Sequence, residues 1–407
     1  MGRQGLPLSI LVVALASAAF GAPAALAGSS ASQPPAIAPV PPGFVGVDAD
    51  GPLFDPTAHL NLDRQLDQMV ANGVESVRVA FNWAAAQPYA SWADVPDAQV
   101  SQFTDVGGVP TSFAAIDQLV GLAAQRGLTL LPTVLYAPGW DAKTNRHGLD
   151  TPAQTGPYAN FLTALVDRYG PRGTYWALHP GIPRLAIRWW QIWNEPNLTY
   201  YWPQPFASRY VALLAAAHAA IKRADPGAKV VLGALTNFAW KSIGQIYRVH
   251  GARNLFDVVA VNGFTKTPSN VILYLRIMRN ALIHFGDGHK PLLATEVSWP
   301  SAQGKSPQHY DFNTTEAGQA RNIAAVLPML GSERTQLGLI GFYYYTWVGD
   351  EAPAAPAFSF AGLLGLKHGT LVAKPALSAF RTGALALEQC RQKGAVATRC
   401  AKPARSA

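Results

Sequence analysis

Two glutamates stand where a folding chain seldom leaves a carboxylate. Glu195, in Trp193-Asn194-Glu195-Pro196-Asn197, and Glu296, in Ala294-Thr295-Glu296-Val297-Ser298-Trp299, each close a β-branched, aromatic-rich apolar run where it gives way to a loop rich in Pro, Asn or Trp. A buried carboxylate costs several kcal/mol unless it is paired or used. Two of them at matching strand ends can share general acid, general base and nucleophilic work. The bland alternative is a pair of structural carboxylates bridged to neighbouring arginines.

The surrounding pattern says what must position them. Apolar strands are expected at 43–48, 75–83, 129–135, 186–193, 229–235, 256–261, 291–295 and 337–347. Between them run amphipathic helices, such as the one bearing Leu62, Leu66, Met69 and Val70 and ending at Asn72-Gly73. Asn313-Thr314-Thr315-Glu316 reads as a capping box for a later helix, and Lys374-Pro375-Ala376 opens the last one. Strands apolar on both faces, each followed by a helix, demand a parallel sheet covered by helices. Eight such units imply a closed (β/α)8 barrel, an α/β fold with one catalytic domain. A doubly wound open sheet is the runner-up, but no Gly-x-Gly-x-x-Gly follows the first strand.

Sites in such barrels sit at the C-terminal ends of the strands. Both glutamates fall there, on strands four and seven, on opposite sides of the mouth. Strand alternation puts Gln191, Trp193 and Glu195 on one face, and Leu292, Ala294 and Glu296 on another. Two carboxylates facing across a cleft suit glycoside hydrolysis, in which one protonates the leaving oxygen and the other attacks the anomeric carbon; retention needs them about 5 to 5.5 Å apart, and a larger gap with room for water would mean inversion.

At this point the chain resembles the large clan of retaining glycoside hydrolases that includes family-five cellulases and family-thirty-nine xylosidases. Asn194-Glu195 ending strand four and Glu296 ending strand seven carry the resemblance. It implies that Glu195 is the acid/base, Glu296 the nucleophile, and Asn194 a ligand of the sugar 2-hydroxyl. It also implies that Arg78 keeps the nucleophile ionised and that Trp347 floors the reacting sugar. The chain departs from the clan at Asn262-Gly263-Phe264, where relatives carry His-x-Tyr, so that Tyr343, Tyr344 or Tyr345 would have to supply the missing tyrosine. Asn262 is retained as a substrate-binding candidate. Among the loop aromatics Trp83, Trp140, Tyr200, Tyr201, Trp202, Trp240 and Trp299, sugar contact is assigned to Trp140 and Trp202, whereas Trp189 and Trp190 read as core.

The rest of the chain bounds the setting. Residues 1–27 read as a secretory signal peptide ending at Ala25-Leu26-Ala27, with an uncleaved anchor as the alternative. A Pro/Ala-rich linker at 28–42, the catalytic domain at 43–385 and a basic tail at 386–407 follow. Cys390 and Cys400, the only cysteines, are expected to pair in an oxidising compartment. The formal charge of +8 is scattered rather than striped, which argues against nucleic acid. Its one concentration is the tail, with Arg391, Lys393, Arg399, Lys402 and Arg405, which reads as a solvated, loosely ordered end able to touch an anionic cell envelope.

The expected protein is a secreted or envelope-associated hydrolase of a β-linked glycan or glycoside, with a carbohydrate partner and no cofactor. The alternative classes are a non-catalytic glycan-binding barrel of the envelope and a metal-dependent lyase or isomerase. The nine histidines show no close spacing that would favour the latter.

Overall fold

A computed structural model describes residues 39–402, so the expected signal peptide and most of the expected linker lie outside the described residues. Eight parallel strands form one sheet: β1 (Val45–Ala49), β2 (Ser76–Asn82), β3 (Thr129–Leu135), β4 (Trp189–Ile192), β5 (Lys229–Val231), β6 (Val259–Asn262), β7 (Leu292–Val297) and β8 (Leu339–Tyr344). Their order in space is β6-β7-β8-β1-β2-β3-β4-β5. The edges β5 and β6 meet through the parallel bridges Val231 to Val258 and Leu235 to Val261, which close the (β/α)8 barrel.

Closure follows from burial. β1 and β7 are buried at every position, and an apolar strand buried on both faces requires a barrel interior on one side and helices on the other. Leu131, Val231, Ala260, Leu293 and Tyr343 fill the interior as a separate cluster. At Gly46 any Cβ would collide with the Tyr343 ring, so glycine is what lets that ring lie across the barrel.

The outer layer holds α1 (Leu62–Ala71), α2 (Ala114–Gln125), α3 (Thr155–Tyr169), α4 (Ala207–Ala224), α5 (Ala239–Tyr247), α6 (Pro268–His284), α7 (Glu316–Leu337) and α8 (Pro375–Leu387). Local chemistry sets their ends. The Asn61 side chain accepts from Arg64 N at 2.9 Å to start α1, and Thr267 followed by Pro268 starts α6.

Several boundaries depart from the sequence reading. The cap of α7 is Thr315, whose hydroxyl accepts from Gly318 N at 3.1 Å, two residues past the expected Asn313. Leu337 belongs to α7, which stops at Gly338 with φ 59°, and β8 begins only at Leu339 and ends at Tyr344. After β8 the chain forms a small sheet of Val348–Asp350, Leu364–Lys367 and Thr370–Ala373 that the sequence reading did not anticipate.

The tail needs a correction as well. Cys390 and Cys400 are disulfide-bonded with their Cα atoms 5.3 Å apart, as expected. Lys393 and Ala397 anchor the loop they close, while Arg391 and Arg399 stay exposed. Lys393 is buried, with its ammonium 2.7 Å from Glu75 Oε1 and 2.7 Å from Glu388 Oε2. Ala397 N donates to Arg126 O at 2.8 Å. Glu75 and Arg126 precede β2 and β3, so the tail covers the N-terminal end of the barrel, opposite the mouth. A buried ammonium between two carboxylates is not free for an anionic surface, because stripping its partners would leave uncompensated buried charge.

Candidate active site

The strand ends converge on one cation. Arg78 of β2 points into the mouth and is 4% exposed, so each of its donors must find a protein acceptor. Its Nε donates to Gln191 Oε1 at 2.7 Å and its Nη2 to Asn194 Oδ1 at 2.8 Å. Its Nη1 donates to Glu296 Oε1 at 2.8 Å and also to Asp48 Oδ2, at the end of β1. One guanidinium therefore ties β1, β2, β4 and β7 together at the level where a substrate would rest. With two anions against it, its pKa is held above even the arginine range.

Glu195 occupies the other side. Its Oε1 accepts from Asn262 Nδ2 at 2.8 Å. Asn262 is itself oriented by Thr295 Oγ1, which donates to Asn262 Oδ1 at 2.8 Å. The register between β6 and β7 shifts just there, so that Asn262 pairs with Glu296, and such an irregularity re-aims side chains at a barrel rim. Glu195 (φ 42°) and Trp193 (φ 65°) both adopt left-handed backbone, which costs a non-glycine residue on the order of 1 to 3 kcal/mol and marks a site the surrounding fold must hold.

Those two residues also break the expected alternation. Gln191 faces the barrel and meets Arg78, but Trp193 does not share its face. The left-handed turn at Trp193 sends its ring outward to Tyr158 of α3, and its Nε1 to Tyr201 O at 2.9 Å.

Glu195, Glu296, Asn194, Arg78 and Asn262 all line a single cavity of about 1660 Å³. Burial raises both glutamates, Glu195 to about 7 and Glu296 to about 8. At Glu296 the Arg78 charge opposes the rise, and the charge of Glu195 adds to it. Taken singly, a raised Glu296 would be a poor nucleophile at neutral pH. The two carboxyls titrate as a pair, and Arg78, in contact with Glu296, favours the ionised form there.

Three predicted site residues are elsewhere. Trp347 is fully buried behind the site, its Nε1 donating to Gln65 Oε1 of α1 at 2.9 Å, because β8 ends at Tyr344 and the chain then turns back over β1. Trp140 rests edge-on against Trp83 and donates to Gln87 O at 2.8 Å. Trp202 is 3% exposed and packs between Trp193 and Tyr210. In each case the indole N–H or the ring found a partner inside the fold, where burial of so large an apolar surface is favoured. Of the other loop aromatics, Trp83 and Trp299 are also buried, while Tyr200, Tyr201 and Trp240 do line the cavity.

The structure adds residues that the sequence reading missed. Asp48 and Asp50 line the cavity beside Glu296. Burial raises both carboxyls; Arg78 opposes the rise at Asp48, and Thr346 Oγ1, donating to Asp50 at 2.9 Å, opposes it at Asp50. Val45-Gly-Val-Asp48-Ala-Asp50 carries the signal that singled out the glutamates, a carboxylate at the end of an apolar strand. Among the three tyrosines of β8 and its end, Tyr343 fills the barrel interior and Tyr344 bonds Gln319 of α7, and Tyr345 lines the cavity. No cluster of His, Cys, Asp and Glu suited to a metal ion occurs among the described residues.

No family model matches the chain, and no curated protein matches it by sequence. Solved structures do match in fold. A monomeric beta-xylosidase from Caulobacter crescentus CB15 superposes with a TM-score of 0.58 at 18% identity, over 84% of this chain and 68% of that one. A family 39 glycoside hydrolase from Bacteroides cellulosilyticus WH2 gives 0.58 at 18% identity, over 84% of this chain and 63% of that one. The GH53 catalytic domain from Ignisphaera aggregans gives 0.55 at 21% identity, over 85% of this chain and 98% of that domain. The chain thus spans about two thirds of the length of the first two and nearly all of the third. At these identities the likeness is one of barrel architecture.

Proposed function

We propose that the protein is a retaining glycoside hydrolase that cleaves a β-linked glycan or glycoside through Glu195 and Glu296. The observation that carries this reading is the pair itself: two buried carboxylates from β4 and β7 facing one cavity, with a fixed cation on Glu296 alone. Glycosidases among the fold neighbours support it.

In the first step Glu296 attacks the anomeric carbon as the bond to the leaving oxygen breaks, and Glu195 gives that oxygen its proton. A glycosyl ester on Glu296 results. In the second step Glu195, now ionised, takes a proton from water, whose oxygen attacks the same carbon and releases Glu296. Arg78 stabilises the Glu296 carboxylate before attack and after release. Asn194 spends its oxygen on Arg78, which leaves its amide N–H groups to a sugar hydroxyl. Tyr345, rather than Trp347, supplies the ring beneath the reacting sugar.

Export completes the reading. The apolar N-terminal stretch with its small-residue cleavage pattern and the Cys390 to Cys400 bridge both fit an oxidising exterior. Mass spectrometry of the secreted chain should find Gly28 as its first residue.

The test is hydrolysis of a panel of aryl β-glycosides by wild type, Glu195→Gln and Glu296→Gln, with the product anomer followed by NMR. Turnover with retained configuration, lost by at least about 10³-fold in either variant, is expected. Undiminished turnover in both variants, or an inverted product, sinks the assignment.

A further inference from the structure

The fold treats the two carboxyl oxygens of Glu195 differently. Oε1 accepts from Asn262 Nδ2 at 2.8 Å, whereas Oε2 takes no hydrogen bond from the described residues and opens onto the cavity. In a carboxylic acid the accepting oxygen is the carbonyl one, so an acid held in this way carries its proton on the other. Oε2 is also the oxygen that a leaving group in the cavity can reach.

The arrangement depends on which end of the Asn262 amide faces Glu195. An amide has a donor at one end and an acceptor at the other. Turned by half a revolution, Asn262 would present Oδ1, and the acid proton would bond to it instead of to the substrate. A protonated Glu195 fits either end. What separates them comes from β7, where Thr295 Oγ1 donates to Asn262 Oδ1 at 2.8 Å and has Val261 O as its other acceptor, at 3.2 Å. A reversed amide would leave the hydroxyl proton only the longer of these bonds.

Thr295 and Asn262 are 0% and 1% exposed, so water cannot stand in for a lost partner. The backbone there is fixed as well: Asn262 N donates to Leu235 O at 2.9 Å, and Asn262 O accepts from Thr236 Oγ1 at 3.2 Å. Only the amide is left to turn.

We infer that Thr295 is a positioning residue for the proton donor: its hydroxyl keeps the N–H end of Asn262 towards Glu195, so that the acid proton stays on Oε2 and is delivered into the cavity. This deepens the proposed function and rests on it. Adjacent residues of β7 then serve the two halves of the first step, Glu296 by attacking the sugar and Thr295 by aiming the proton that the leaving oxygen receives.

The other titratable groups facing Glu195 are Arg78 of β2, Glu296 of β7, Tyr201 of the loop after β4 and Tyr274 of α6, with Asp48 and Asp50 on the Glu296 side. Thr295→Val changes none of them and removes only the hydroxyl. The acid proton of Glu195 then finds its strongest acceptor in Asn262 Oδ1. Leaving groups that need the proton should suffer, and the alkaline limb of kcat/KM should rise, because the neutral acid gains a bond that its anion lacks.

The experiment measures kcat/KM against pH for wild type, Thr295→Val and Thr295→Ser on methyl and dinitrophenyl β-glycosides of one sugar. The valine variant should lose about tenfold more on the methyl than on the dinitrophenyl substrate, whose leaving group departs without protonation. Its alkaline limb should rise by about half a pH unit or more, and serine, which keeps the donor, should restore both. An equal loss on both substrates with an unmoved limb is what a merely structural role gives, and it overturns the inference while leaving the hydrolase intact; so does a serine variant that behaves like the valine one. If Thr295→Val does not fold, Thr295→Ala takes its place. Should wild type turn over nothing, the hydrolase reading fails. The role of Thr295 is then read from carbon NMR of the Glu195 carboxyl, assigned through Glu195→Gln, and a titration that Thr295→Val leaves unmoved overturns it.

Discussion

Arg78 Nη1 lies 2.8 Å from Glu296 Oε1, and no comparable cation reaches Glu195 among the described residues. That asymmetry separates two glutamates which burial otherwise treats alike. In the proposed mechanism Glu296 is the ionised partner and Glu195 the protonated one, and Arg78 is the group that opposes at Glu296 the rise that burial imposes.

Removing the cation should therefore damage both chemistry and fold. Arg78→Met leaves the buried Asp48 and Glu296 without compensation. At pH 7 it should lose about 3 to 5 kcal/mol of stability, as broken buried pairs do. The sign with pH follows. Both carboxyls then have folded pKa values above their unfolded ones, so the penalty is full above the folded values and disappears as pH falls below the unfolded ones. Urea unfolding at pH 7 and pH 4 checks this; an equal deficit at both would contradict it.

Glu195→Gln should behave in the opposite way. The wild-type carboxyl titrates near 7 in the fold because burial raises it from its ordinary value. Ionising it in the folded protein costs stability that the neutral amide does not lose. The variant should thus be more stable than wild type by about 3 kcal/mol at pH 8, at roughly 1.4 kcal/mol per pKa unit, and no more stable near pH 4. Thermal unfolding across that range would refute the expectation if the difference did not shrink on acidification.

The activity profile should be bell-shaped in kcat/KM, with an optimum close to neutrality. The limbs belong to the coupled pair rather than to one residue. Because burial raises both glutamates, the acidic limb should lie above the ordinary carboxylate range. An acidic limb near pH 4 would show that the site is wetter than its geometry implies.

Tyr345 and Trp347 should separate cleanly under substitution. Tyr345→Ala removes a ring from the cavity wall and should change kcat/KM by tenfold or more with little loss of stability. Trp347→Phe breaks the bond to Gln65 and should cost about 1 kcal/mol of stability while leaving KM unmoved. The reverse pattern would restore Trp347 to the sugar floor.

Reducing the Cys390 to Cys400 bridge should lower stability by about 2 to 3 kcal/mol, the chain-entropy value for so short a loop, without changing kcat at 25 °C. The tail packs at the N-terminal end of the barrel, away from Glu195 and Glu296. Loss of kcat in step with reduction would show that the two ends are coupled.

The barrel and the strand ends that carry its glutamates were legible in the residues because their causes are local. Apolar runs buried on both faces and amphipathic helices between them impose the (β/α)8 order, and a carboxylate ending such a run stands out whatever packs against it. Both glutamates were placed at the mouth on that ground, and Arg78, Asn194 and Asn262 by the resemblance those glutamates carry; all five line the cavity. What faces inward past the last ladder bond is another matter. Trp193 turns out of line through its left-handed backbone, Trp347 goes to Gln65 of α1, and Trp140 to Gln87 O, each to a partner distant in the chain or in a loop without periodicity. Lys393 found Glu75 in the same way, across 318 positions. Side chains beyond a strand end obey no period; they go where burial and an unpaired donor can both be satisfied, and that place exists only after the chain has folded.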